Sequence, residues 1–134
     1  MPLVRIDLLA TWPDGDVAKL GDAVQRALVE NLGVPVRDRF QVITRHEPAS
    51  FVFDRSYLDI DRSDRFVMVQ VTLSAGRTTE AKQDFYRRLA ELLEESVGLS
   101  TNDLAVCLIE NTREDWSFGR GEASYVVLPR ERWR

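Results

Sequence analysis

Two short stretches hold the groups best able to do chemistry. The first is "MPL" at the start of the chain, where a proline follows the initiator methionine. Proline has no backbone N–H to give a sheet ladder and is tolerated at the first residue of a strand, so a purely structural reading exists. A chemical reading exists beside it. Met1 is efficiently removed in cells when a small residue such as proline follows, which leaves Pro2 with a free secondary amine. An ordinary α-amino group titrates near about 7.7 to 8.0; an apolar pocket lowers that value and a nearby carboxylate raises it. Such an amine acts as a general base when neutral and as a general acid when protonated. The second stretch is "LSAGRTTEAK", in which Arg77 directly precedes a helix start marked by Thr78 and Thr79. A guanidinium holds a carboxylate through two parallel hydrogen bonds, and free amides at a helix N-terminus also favour an anion. Together they describe a corner that binds an acid.

Other chemistries find little support. His46 is the only histidine, which rules out multi-histidine metal sites, and nothing near it resembles a nucleophile elbow. Cys107 is the only cysteine and lies in the apolar run "LAVCLIE", so no internal disulfide forms and a buried small hydrophobe is expected. Gly119 and Gly121 make a GxG without the strand and helix that a dinucleotide fingerprint needs. A net charge of -4 argues against nucleic acid, whose phosphates demand concentrated Lys and Arg. Apolar runs such as "FVMVQVTL" fall well short of the ~20 residues of a membrane span. The apolar "PLV" is broken at once by Arg5 and Asp7, unlike a signal peptide. The expectation is a cytoplasmic protein without metal, cofactor, nucleic-acid or membrane partner.

The elements that must position Pro2 and Arg77 come from an internal repeat. "NLGVPVRDRFQVIT" from Asn31 parallels "SVGLSTNDLAVCLI" from Ser96; Gly33 and Gly98, like Asp38 and Asp103, stand 65 positions apart. The same shift lays Val4 on Val69, Ile6 on Val71, Leu20 on Phe85 and Leu28 on Leu93. Each unit reads strand, helix, strand. In the first, alternation predicts a strand at about 3–9, helical spacing of Val17, Leu20, Val24 and Leu28 predicts a helix from Asp14 or Asp16 to Leu32, and a strand follows at about 39–46. The second predicts a strand at 66–74, a helix at 79–97 and a strand at 104–109, with Gly33 and Gly98 as left-handed helix stops. A strand joined to a strand through such a helix is a parallel crossover, so two βαβ units share one four-stranded sheet with both helices on one face. This is one α+β domain over residues 1–134: a unit at about 2–46, a connector at about 47–65 that could hold a short strand or hairpin around Phe51 to Phe53, a unit at about 66–110 and a terminal segment at 111–134. The uncovered sheet face predicts oligomerisation.

The duplicated βαβ unit and the second-position proline resemble the tautomerase superfamily. The stretches "VPVRDRFQ", "RSDRFVMVQV", "AGRTTEAKQ" and above all "IENTREDWSFGRG" resemble its malonate semialdehyde decarboxylase branch, from Pro2 to about Tyr125. The resemblance implies a homotrimer and a metal-free decarboxylase of a short 3-oxo acid, with promiscuous hydratase activity. It assigns Pro2 as the catalytic amine, Arg77 to the substrate carboxylate, Asp38 to the amine or a water, and Trp116 and Phe118 to an apolar wall. The best-known decarboxylases carry two arginines where this chain has Ala75, Gly76 and Arg77, so the first is missing. The alternatives are a keto-enol tautomerase of an arylpyruvate-like acid, with Pro2 neutral, and a trimeric binding protein without chemistry.

Overall fold

Alternation of apolar side chains and two long amphipathic segments leave the chain one economical arrangement. In the computed structural model, which describes residues 2–134, the strands are β1 (Leu3–Leu9), β2 (Gln41–His46), β3 (Val67–Ser74) and β4 (Leu104–Asn111), and the long helices are α1 (Asp14–Leu32) and α2 (Thr79–Val97). The sheet order is β2-β1-β3-β4. Within each unit the strands run parallel, and the two units meet through the antiparallel β1–β3 pair, with Leu3 opposite Thr72 and Leu8 opposite Val67. That central pair sets the two units head to tail. Val4, Ile6, Leu8, Val67, Val69, Val71 and Leu73 point to one face and form the core with Leu20, Val24, Leu28, Phe85, Leu89 and Leu93 of the helices. Burying one such aliphatic side chain contributes about 1.5–3 kcal/mol, which is why the period-2 and period-3.6 patterns decide the fold. Among the described residues no helix is long and apolar enough to cross a membrane.

Both long helices stop as the glycines require. Gly33 and Gly98 adopt φ of 67° and 63°, the left-handed region that glycine enters without a Cβ clash. The following amide folds back on the helix in the same way twice, Val34 N to Leu28 O and Leu99 N to Leu93 O. The helix starts differ. Thr78 accepts a hydrogen bond from the Ala81 amide at 3.1 Å, whereas α1 begins after Pro13 with no side-chain cap.

Two expectations are corrected. The connector forms no strand or hairpin at Phe51 to Phe53; it holds 3-10 turns at Pro48–Ser50 and Tyr57–Asp59. Phe51, Phe53 and Phe66 instead stack on one another at centroid separations of 4.5–6.0 Å, so the aromatic pattern marks a local cluster and not a pleat. Cys107 is exposed. It pairs in register with Gln70 on the sheet face turned away from the helices, where Val42, Met68 and Ile109 are also exposed. The strand is apolar on both sides, but one chain covers only one of them. The terminal segment adds α3 (Ser124–Val127) and a turn at Arg130–Arg132.

Candidate active site

Because β3 runs against β1, the beginnings of β1 and β2 share one end of the sheet with the ends of β3 and β4. The Val4 amide donates to the Phe40 carbonyl at 2.9 Å, which brings Pro2 and the Asp38–Phe40 turn to that end. The Ala75 amide donates to the Asn111 carbonyl at 2.8 Å and carries the β3–β4 ladder past the strands, towards Arg77 on one side and Arg113 on the other. The terminal segment then folds across. Two adjoining clefts result. One, of about 470 Å³, is lined by Asp38, Phe40 and Phe118 among others; the second, of about 430 Å³, is lined by Ser74, Ala75, Arg77 and Arg113. Pro35, Tyr125 and Trp133 are common to both.

Asp38 is 5% exposed and, among the described residues, neither carboxylate oxygen has a partner. Its backbone is fully used: the amide donates to Pro35 O at 3.0 Å and the carbonyl accepts from Gln25 Nε2 at 3.2 Å. Burial pushes the carboxyl pKa up to about 6, with the positive charge of the chain terminus pulling the other way. The Tyr125 hydroxyl and the Ser74 hydroxyl are also buried without partners. Desolvation, and then the Asp38 charge, push the Tyr125 phenol above its ordinary value. Native proteins satisfy nearly all buried polar atoms, so orphans gathered at one place mark a candidate site whose partners lie outside the described residues. Of six such side-chain atoms among the described residues, four belong to Asp38, Ser74 and Tyr125.

Arg77 is half-buried beside them. Its Nε and Nη2 both donate to the Leu32 carbonyl at 3.1 Å, and Nη1 donates to the Ser74 carbonyl at 2.6 Å. A guanidinium has five N–H groups, so two remain for an incoming acid, and the planar group is already held in place. Burial pulls its pKa below the ordinary arginine value, while Glu110 opposes the shift. The sequence places Arg77 beside the amides opening α2; the structure turns it to the carbonyl that ends α1, and one of those amides goes to Thr78.

Comparison with known proteins adds the lineage. The Tautomerase_2 family model, described as a tautomerase enzyme, matches residues 38–119. The chain belongs to this tautomerase family. The probable tautomerases YrdN and YusQ of Bacillus subtilis are 39% and 35% identical to it, over 95% and 94% of this chain and 98% and 99% of theirs. Among solved structures, a malonate semialdehyde decarboxylase aligns with a TM-score of 0.87 at 37% identity, covering 92% of this chain and 95% of that one. The malonate semialdehyde decarboxylase FG41, inhibited by 3-bromopropiolate, aligns with a TM-score of 0.87 at 38% identity, covering 95% and 99%. A fused 4-OT symmetric trimer shares the fold at 21% identity and a TM-score of 0.73, covering 90% and 94%.

In this chain Asp38, Arg77 and Phe118 meet around the joined clefts, and Trp116 stands behind Phe118 with its ring stacked on it at 5.3 Å. Trp116 Nε1 is held by Asn111 Oδ1 at 2.8 Å, so Trp116 stiffens the wall and Phe118 presents it. Pro2 is buried and is not among the residues lining either cleft. Residue 1, and with it the expected loss of Met1, lies outside the described residues. Ser74, Arg113, Tyr125 and Trp133 were not singled out by spacing or motif. Three of them sit after the second repeat, where no periodicity foretells what the chain touches. A more enclosed cavity of about 140 Å³ lies at the other end of the sheet, beside His46, Phe51 and Phe53. There His46 Nε2 and Asp7 Oδ1 satisfy each other at 2.6 Å.

Proposed function

We propose that this tautomerase-family protein decarboxylates a short 3-oxo acid of the malonate semialdehyde kind. The observation that carries the reading is the likeness to two malonate semialdehyde decarboxylases over 92–95% of the chain. The two spare N–H groups of Arg77 hold the substrate carboxylate, and the amine of processed Pro2 either polarises the 3-carbonyl as the ammonium or, in its neutral form, condenses with it to an iminium with loss of water. The bond between the carboxylate carbon and C2 breaks and carbon dioxide leaves. The electron pair passes into an enolate, which takes a proton at C2 to give acetaldehyde, or into an enamine, whose protonation at C2 gives an iminium that water hydrolyses to acetaldehyde and the free amine. Asp38 orients the amine or a water. Phe118, backed by Trp116, keeps water from a carboxylate that loses its charge as it departs. The same parts add water to an acetylenic or haloacrylic acid. The assembly we propose is a homotrimer, supported by the exposed Val42, Met68 and Ile109 on the uncovered sheet face and by the trimeric assembly of the fused 4-OT.

The test is intact mass spectrometry to find the chain without Met1, then incubation with malonate semialdehyde. Carbon dioxide release that is lost with Pro2 blocked or Met1 retained supports the reading; no release from the processed protein overturns it. The second reading, tautomerisation of an arylpyruvate-like acid, has the names of the two Bacillus relatives in its favour. It needs Pro2 neutral, so its rate falls below the amine pKa, whereas chemistry that needs the ammonium falls above it.

A further inference from the structure

Among the described residues, Arg113 is an unpaired charge in the Arg77 cleft, as Arg37 and Arg132 are in the adjoining one. It lines the Arg77 cleft and the opening next to it at Ser74, Ala75 and Asn111. Its guanidinium lies 4.9 Å from the ring centroid of Trp133. Trp133 is itself held, its Nε1 donating to Leu128 O at 3.1 Å and its ring meeting Tyr125 edge-on at 5.0 Å. Among the described residues Arg113 makes no ion pair, not even with its neighbour Glu114. Glu110, the carboxylate close enough to act on Arg77, is engaged by Lys82. The lining of the Arg77 cleft therefore contains two arginines and no carboxylate. Arg113 is exposed at the mouth of the cleft; like charges facing one cleft repel, and the charge of Arg113 does disfavour the cation at Arg77. The spare N–H groups of Arg77 suffice for one carboxylate, so the charge at Arg113 is in surplus for a monoanion. A second negative group on the ligand removes that surplus.

We infer that Arg113, braced by Trp133, is a specificity-determining residue that binds a second anionic group, so that the site prefers a short dicarboxylate to a monocarboxylate of equal length. This rests on the reading of Arg77 as the carboxylate anchor, and it makes malonate semialdehyde, a monoanion, a weaker ligand than a short 3-oxo acid that carries a second carboxylate. The absence of an arginine at Ala75 leaves room in the same cleft, and Arg113 reaches that room from β4's side of the sheet.

The experiment measures binding of succinate and butyrate, two unreactive four-carbon acids, to the processed protein by calorimetry at pH 7.5 and 0.15 M ionic strength. The wild type is expected to bind succinate about tenfold more tightly than butyrate, from one added charge-assisted contact. Arg113→Ala is expected to bring the two within about threefold, Arg113→Lys to keep part of the preference because the charge survives without the fork, and Arg120→Ala, outside both clefts, to keep all of it. An undiminished preference in Arg113→Ala, or none in the wild type, overturns the assignment. Arg77→Ala separates the two readings. If the wild type binds neither acid, or if Arg77→Ala binds both as well as the wild type does, the carboxylate anchor fails and this inference with it; if both acids bind equally through Arg77, only the role of Arg113 fails.

Discussion

The two βαβ units build the same turn and then use it in opposite ways. The Asp38 amide donates to Pro35 O at 3.0 Å and the Asp103 amide to Ser100 O at 2.9 Å, and both aspartates are buried, at 5% and 4% exposure. Asp103 is met on both oxygens by Ser63, by its amide at 2.7 Å and its hydroxyl at 2.6 Å. Asp38 has nothing on either among the described residues. The segment running into β3 brings a serine to its aspartate; in the segment running into β1 the described residues start at Pro2, which inside the chain has neither an N–H nor a hydroxyl to offer. The partner positions of Arg77 diverge too. By the repeat shift it corresponds to Trp12, which is 3% exposed in the core and carries the Arg65 guanidinium over its ring at 4.9 Å. One end of the sheet is thus closed by packing around a satisfied Asp103, with the Trp12 indole N–H as its one orphan among the described residues. The other keeps an unpaired carboxylate, two orphan hydroxyls and a cation with spare donors.

Arg77→Ala should break the open end most. Losing a bidentate charged contact costs about 2–5 kcal/mol, so kcat/KM for a 3-oxo acid is expected to fall by two to three orders of magnitude, on the order of that figure. Arg77→Lys should not restore it, since one point charge cannot hold the Leu32 carbonyl and a carboxylate together. Asp103→Ala should break the closed end. It removes two hydrogen bonds to a buried carboxylate, a loss of about 2–3 kcal/mol in denaturant unfolding, with turnover per folded molecule retained.

Asp38→Asn should do the reverse and stabilise. A carboxyl raised to about 6 in the folded chain, against an ordinary value of 3.8, holds its proton longer folded than unfolded. Stability is therefore complete below pH 4 and falls as pH rises towards 6. The neutral amide escapes that fall. Unfolding at pH 8 should show a gain of about 2 kcal/mol for Asp38→Asn, shrinking to nothing near pH 4, while decarboxylation drops. In the wild type, an activity that needs the carboxylate should decline on the acid side near pH 6, following the value of about 6 at Asp38. The smallest expected effects test where the units agree: Gly33→Ala and Gly98→Ala should each cost about 1 kcal/mol, by equal amounts, because both caps have the same left-handed φ.

Much of this comparison was legible beforehand. The repeat shift, the limits of α1 and α2 and the glycine stops follow from local periodicity and from which residue tolerates positive φ. Arg77 was legible as a cation at a chain reversal, and Pro2 as a strand start with chemical potential. The aromatic connector misled, because Phe51, Phe53 and Phe66 cluster with one another and the same residue types serve strands. Cys107 misled for a related reason: an apolar run does not tell which of its faces the helices cover. Tyr125, Ser74 and Arg113 were illegible, since their importance lies in what is missing around them.

Sequence alone determined the elements and their duplication, because hydrophobic period and the conformational freedom of glycine act over a few residues. It also determined that the two halves carry aspartate at matching turns. Only the tertiary structure decided that one aspartate is satisfied and the other is not. The antiparallel β1–β3 pairing sends the two turns to opposite ends of the sheet, and the terminal segment closes over one end alone. Hydrogen-bond satisfaction and desolvation depend on those distant neighbours, so two aspartates at matching turns end differently, one carboxylate structural and the other available for chemistry.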